Sequence, residues 1–156
     1  MAEDLVLHSG TKEEQYQSLL PQIKALLEGE TDFIANLANI SAALKSQFNF
    51  FWVGFYLFKA GELVLGPFQG PVACTRIQPG RGVCGTAYAT QHTLIVPDVD
   101  QFPGHIACSA ASRSEIVLPL WYRNALIGVL DIDSEHLDHF DRVDENYLTQ
   151  LLALLP

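Results

Sequence analysis

Three cysteines, Cys74, Cys84 and Cys108, and three acids, Glu115, Asp131 and Asp133, are the residues whose types could do chemistry. Cys108 lies among small neighbours in I-A-C-S-A-A-S, which leave room for a ligand or a second thiol to approach its sulfur. Around it the chain leaves a short apolar strand at Ile95-Val96. It then passes the turn residues Pro97, Asp98, Asp100, Pro103 and Gly104 and re-enters a strand at Ile116. A loop of that length without its own helix or strand is uncommon in a compact domain and is often functional. A buried, inert cysteine is the plainer alternative, because free Cys is among the most buried residue types. Three cysteines are too few for a disulfide scaffold, and an odd count points to free thiols. No C-x-x-C occurs, and no spacing resembles a zinc site.

Asp131 and Asp133 stand two apart on one strand, hence on one face. For two acids, solvent exposure at a strand end is the slightly favoured reading, but Leu130 and Ile132 flank them and Glu115 opens the neighbouring strand. Register decides whether Glu115 joins them. A two-residue Arg123-Asn124 turn pairs Ile116 with Asp131 and turns Glu115 away; a three-residue loop, Tyr122 to Asn124, pairs Glu115 with Asp131. A bulge near Pro119, which cannot donate to a ladder, would also cluster the acids. We expect clustering. Adjacent carboxylates repel, so at least one holds a proton near neutrality unless a cation joins them. Such a cluster can bind an ammonium group and supply a general acid. It also raises the pKa of a nearby thiol, which even unperturbed, at a pKa of roughly 8.5, is only about 3% thiolate at pH 7.

The elements that must position these groups are legible in outline. Thr11-Lys12-Glu13-Glu14 is a capping box, and Tyr16, Leu19, Leu20, Ile23, Leu26 and Leu27 follow helical spacing up to Gly29, with Pro21 expected to kink or split the helix. A second helix starts near Thr31 or Asp32 and buries Phe33, Ile34, Leu37, Ile40 and Leu44. Phe48 to Phe58 is apolar on both faces, as a central strand requires. Its alternation puts Phe50, Trp52, Gly54 and Tyr56 on one face and Phe51, Val53, Phe55 and Leu57 on the other. A turn at Lys59 to Glu62 leads to a strand at Leu63 to Leu65. The Gly/Pro-rich segment Gly66 to Gly82 carries Cys74, and a short helix near Cys84 follows it. Its glycines fit neither a P-loop nor a dinucleotide fingerprint. Strands at Glu115 to Leu120 and Leu126 to Asp133 precede a last helix capped by Asp141. On the second of these strands, Ile127 and Val129 are read on the face of Asp131 and Asp133. No repeat or linker interrupts the chain. The result is one α+β domain over residues 1–156: N-terminal helices about 11–46, sheet and pocket loops about 48–134, and a C-terminal helix about 141–155.

Composition excludes several function classes. The 156 residues carry 18 acids against nine bases, a net charge of −9, which argues against nucleic acid. No apolar run spans a bilayer, so no membrane role is expected. The N-terminus lacks a signal peptide's basic start and apolar centre, giving an expectation of cytoplasmic location.

The motifs G-R-G-V-C-G-T-A, V-P-D-V-D-Q-F-P-G-H-I-A-C, S-E-I-V-L-P-L, G-V-L-D-I-D-S and F-D-x-x-D together resemble the free methionine-(R)-sulfoxide reductases, single-domain GAF proteins. The resemblance runs from roughly Glu13 to Leu155; Ser109 departs from it, standing where many members are expected to carry Asp. It implies a GAF fold, a six-stranded antiparallel sheet with helices on one face and a ligand pocket on the other. It also implies a homodimer, free methionine sulfoxide as substrate, no cofactor, and a dithiol such as thioredoxin as reductant. By the same resemblance Cys108 is the nucleophile and Cys74 the resolving thiol, with Cys84 a competing candidate for either role. Glu115, Asp131 and Asp133 are the substrate-binding acids, Glu115 and Asp133 being also counted as catalytic. Trp52 is the wall against the substrate methyl, with Tyr56 beside it. His105 and Arg113 are secondary candidates, for orienting Cys108 and for binding a carboxylate. The His136/His139 cluster, with Glu135 and Asp138, is read as surface. A sensory GAF module and a peroxide-reactive thiol sensor are the competing functions.

Overall fold

The computed structural model describes residues 4–106 and 108–156. Ala107, one of the small residues beside Cys108, and residues 1–3 of the acidic N-terminus lie outside it. Helix α1 (Lys12–Leu27) begins with the expected capping box between Thr11 and Glu14. Pro21 does not split it: the proline is on the solvent side, while Tyr16, Leu19, Ile23 and Leu27 form an unbroken buried stripe. Helix α2 (Phe33–Phe48) is capped by Asp32, whose side chain accepts from the Ala35 amide. It runs further than its sequence suggests, because Asn49 adopts the left-handed conformation (φ 53°) that closes the last turn. Ile34, expected in the core, is about half exposed.

Six strands make one antiparallel sheet in the order β3-β2-β1-β6-β5-β4. They are β1 (Trp52–Lys59), β2 (Glu62–Gln69), β3 (Arg76–Ile77), β4 (Leu94–Val96), β5 (Ser114–Tyr122) and β6 (Ala125–Ser134). The β1–β2 turn has Ala60 and Gly61 at φ 51° and 87°, a tight two-residue connection of the kind that matches strand twist. Strand β2 continues through Gly66-Pro67, which the sequence had suggested was loop. A register shift opposite Phe55 accommodates the proline there. Strand β1 starts only at Trp52. The alternation therefore does not reach back through the bend before it, and Phe50 joins the helix-side core while Phe51 packs on the other side, the reverse of expectation.

Helices α1, α2 and α4 (Arg142–Leu152) cover one sheet face over a core that includes Leu37, Leu44, Val53, Phe55, Leu118, Leu130 and Ile132. The short helix α3 (Gly82–Thr90) lies on the other face with the loops around Cys74 and Cys108, over Trp52, Tyr56, Val117 and Val129. The α+β class and the six-stranded sheet are thus as expected, with one helix on the cavity side. Among the described residues, no helix is long and apolar enough to cross a membrane.

One buried carboxylate locks the helical layer. Asp144 accepts from the Tyr16 hydroxyl (2.6 Å), from Lys12 Nζ (2.6 Å) and from the Asp141 amide (2.9 Å), so it ties α1 to the start of α4. Removing it strands the Tyr16 hydroxyl and the Asp141 amide, each costing about 1–3 kcal/mol when left unpaired in the interior. We predict that Asp144→Ala lowers the unfolding free energy by about 3 kcal/mol, read from urea midpoints at unchanged m-value. A loss under about 0.5 kcal/mol would show that water replaces those bonds.

Candidate active site

Register builds the site. The β5–β6 turn is the two-residue one, with Arg123 and Asn124 at φ 50° and 64°. By itself that turn would face Glu115 away from the aspartates. A one-residue shift between Leu120 and Trp121 inserts Ile127 as an extra residue, and Glu115 then pairs with Asp133 and Val117 with Asp131. The acids cluster as expected, through a one-residue shift beside Pro119 whose extra residue is Ile127 on the facing strand, and not through a three-residue loop. The same bulge sends Ile127 to the helix-side core, whereas simple alternation had placed it with Val129. On the other flank β1 sets Trp52 opposite Asp133 and Gly54 opposite Asp131. One row across the sheet therefore reads Trp52, Asp133, Glu115, with Asp131 in the next row on the same face.

A cavity of about 600 Å³, counting its open mouth, stands over these rows. Its floor carries Glu115, Asp131 and Asp133; α3 contributes Gly82 and Cys84; Trp52, Tyr56 and Phe51 form an aromatic wall. Trp52 stacks on Phe68 (5.2 Å between centroids) and on Tyr56 (5.9 Å), and its indole donates to the Pro71 carbonyl (3.1 Å). The Tyr56 hydroxyl donates to the Cys74 carbonyl (2.8 Å), so two wall aromatics hold the cysteine-bearing segment against the sheet. That segment closes on the opposite loop through a disulfide between Cys74 and Cys108, with Cα atoms 5.5 Å apart. Cys84 remains a free, buried thiol. Composition had suggested free thiols; two of the three are paired because the fold brings segments 34 residues apart together at the cavity mouth.

Electrostatics in the cavity follow from burying like charges. Glu115 is raised well above the usual carboxylate range, first by loss of water and then by Asp131 and Asp133. Asp133, half-buried and accepting from Ser112 Oγ (3.1 Å), is raised by desolvation and by Asp131. Asp131 is raised by burial. Cys84 lies 3.9 Å from Glu115 and is pushed far up by burial and by the three carboxylates. It is held as a thiol in the substrate-free protein. His105 Nε2 lies 3.9 Å from Glu115 Oε1 and lines the cavity.

The secondary candidates fall differently. Arg113 borders a separate surface hollow with Glu135 and His136, not this cavity. His139 is not a surface residue: it is half-buried, packs on Phe140 and Phe50, and bonds Ser134 Oγ (2.7 Å). Sequence reasoning missed Ser112 as the partner of Asp133. It also missed Val72 and Ile106, exposed apolar residues at the cavity mouth. Nothing in the one-dimensional pattern marked them beyond proximity to Cys74 and Cys108.

Fold and cavity together define a GAF-type domain with a disulfide beside its hollow. The GAF domain family model matches residues 32–155. The chain is 67% identical to GAF domain-containing protein A of Dictyostelium discoideum over 99% of both chains. It is 54% identical to the free methionine-R-sulfoxide reductase of Escherichia coli, covering 92% of this chain and 88% of that one. The solved structure of free methionine-R-sulfoxide reductase from Neisseria meningitidis in complex with its substrate is 55% identical, with a TM-score of 0.94 over 97% of this chain and 92% of that one. The chain belongs to the GAF-domain family, among the free methionine-R-sulfoxide reductases.

The raised carboxylates make a stability prediction. Folding raises their proton affinity, so between about pH 4, where unfolded carboxylates titrate, and the higher folded values, the native state binds more protons than the unfolded state. Their stabilising contribution is complete below that window and is lost as pH rises through the folded values. Glu115→Gln, which cannot ionise, should therefore melt above the wild type at about pH 8 and converge on it below about pH 4. Parallel melting-temperature curves for the two proteins across that range would show that Glu115 is solvated.

Proposed function

We propose that this chain reduces free methionine sulfoxide, the R epimer by family membership, to methionine, using Cys108 as nucleophile and Cys74 as resolving thiol. The observation that carries this reading is the Cys74–Cys108 disulfide at the mouth of a cavity floored by buried, protonatable carboxylates. The disulfide corresponds to the oxidised end of the cycle. In the reduced protein the Cys108 sulfur is free to attack the sulfoxide sulfur. The sulfoxide oxygen leaves as part of a sulfenic acid only if it gains a proton, and a carboxylic acid of raised pKa is the group to give one. Glu115 is held protonated by its surroundings and Asp133 is the alternative donor.

Attack forms a bond between the Cys108 sulfur and the oxygen-bearing sulfur; the protonated oxygen passes to Cys108 as the methionine sulfur gives up its bonds to that oxygen and to Cys108, so methionine departs and Cys108 is left as the sulfenic acid. The Cys74 thiol then displaces water and forms the disulfide. The sum is one sulfoxide and two thiols converted to methionine, one disulfide and water. Thiol–disulfide exchange with an external dithiol, thioredoxin in our reading, restores the thiols. In such a compartment as the cytoplasm that dithiol is available. The carboxylates also receive the substrate ammonium, whose charge offsets their repulsion. Trp52 and Tyr56 give the methyl group an apolar wall. Cys84, buried and held as a thiol, is not the attacker. A homodimer is part of the same reading and is checked by sedimentation.

Single-turnover counting tests the assignment. Cys108→Ser should release no methionine, since a neutral hydroxyl is a far weaker nucleophile than a thiolate. Cys74→Ser should release about one equivalent per site and stall with thioredoxin as the reductant. Methionine release by Cys108→Ser but not by Cys84→Ser would move the nucleophile to Cys84. In steady state, Asp131→Asn and Asp133→Asn should lower kcat/KM on the order of a hundredfold while melting cooperatively. Unchanged kinetics would make these two acids bystanders.

A further inference from the structure

Cys84 is idle in the cycle above, yet its sulfur sits among the carboxylates that the cycle uses. The Cys84 thiol and the carboxylates of Glu115 and Asp131 bring their donor atoms within 4.8 Å of one another, all buried. A second observation points inward to an absent ligand. Asp131 is 5% exposed and lines the cavity, and its Oδ1 has no hydrogen-bond partner among the described residues. A buried carboxylate oxygen without a partner is costly, and a cation placed before it removes that cost.

We propose that the cavity floor binds one thiophilic divalent cation of the zinc type through Cys84 Sγ, Glu115 and Asp131. The geometry suits such an ion. Zinc bonds to sulfur at about 2.3 Å and to carboxylate oxygen at about 2.0–2.2 Å, so two such ligands of a tetrahedral ion stand about 3.5 Å apart. Cys84 Sγ and Glu115 Oε2 are 3.9 Å apart, and side-chain rotation closes the difference. Three protein ligands leave the fourth position open to the cavity, the pattern of an exchangeable site and not of a closed structural one.

The donor set also sets the selectivity. One sulfur and two carboxylates favour zinc or cadmium, whereas magnesium and calcium demand oxygen ligands throughout. On binding, the Cys84 thiol and the Glu115 carboxylic acid each release a proton to solvent, and the thiolate electron pair becomes the sulfur–metal bond. Two carboxylates and a thiolate then carry three negative charges against two positive ones. The ion would occupy the place that we assign to the substrate ammonium, so the metal-bound form would exclude substrate. That consequence rests on the proposed reductase function; metal binding does not.

The test uses the oxidised protein, in which the disulfide occupies Cys74 and Cys108 and leaves Cys84 as the one thiol of the three. Titration with Cd2+ should produce a sulfur-to-metal charge-transfer band that saturates at one equivalent. Zn2+ should displace the band, and Mg2+ and Ca2+ at the same concentration should not. Cys84→Ser should lose the band. Asp131→Asn and Glu115→Gln should keep a band but weaken Cd2+ at least tenfold, with wild-type circular dichroism. No band in the wild type, or unchanged Cd2+ affinity in both carboxamide variants, overturns the site. A band in a protein that releases no methionine from its sulfoxide would sink the reductase reading and leave the metal site standing.

Discussion

Three carboxylates crowded side by side in one hollow cannot all be ionised without a counter-charge. Glu115, Asp131 and Asp133 share one sheet face because β5 and β6 are out of simple register by one residue. Water is kept from them by α3 above and by the aromatic wall beside them. In the substrate-free protein the result is stored protons: desolvation and mutual repulsion both push Glu115 and Asp133 upward. The same field holds Cys84 as a thiol. A cation entering the floor, whether an ammonium group or a metal, would offset that field. This cavity is therefore tuned as much by what enters it as by its own residues.

The rest of the structure keeps that strained row in place. Helices α1, α2 and α4 bury the opposite sheet face, and the core residues of β6, Leu130 and Ile132, alternate with Asp131 and Asp133. Rotating the strand to relieve the acids would expose that core, which is far more costly than holding protons. The Lys12 ammonium, donating to the His139 carbonyl, fastens the segment after β6 to α1, and the Ser134–His139 bond ties that segment to the end of β6. On the cavity side, Trp52 and Tyr56 reach across to Pro71 and Cys74 by hydrogen bonds from their polar atoms. The aromatic wall thus shapes the hollow and also positions one half of the disulfide.

Proton storage and disulfide closure are arranged on opposite sides of the same hollow. The acids line its floor on rigid strands, while the paired cysteines lie on the two loops that meet at its mouth.

Much of this was legible in one dimension. The capping box at Thr11, the N-caps at Asp32 and Asp141, the tight turn at Ala60-Gly61 and the aromatic central strand are local features, set by hydrogen bonds and dihedral preferences within a few residues. The pairing of Asp131 with Asp133 on one face follows from strand alternation alone. Motif order also gave the family. What alternation could not give was everything that depends on a residue out of step. The bulge at Ile127 decides that Glu115 joins the aspartates, and the bend at Phe51 reverses Phe50 and Phe51. A one-residue slip flips side chains between faces, and only the packing of the two layers selects the register that buries Ile127 and Phe50. The Ser112–Asp133 bond, the orphaned Asp131 oxygen and the approach of Cys84 to Glu115 join segments far apart in sequence. Such contacts exist only after the sheet is assembled, because their partners are chosen by cavity shape and not by neighbours along the chain.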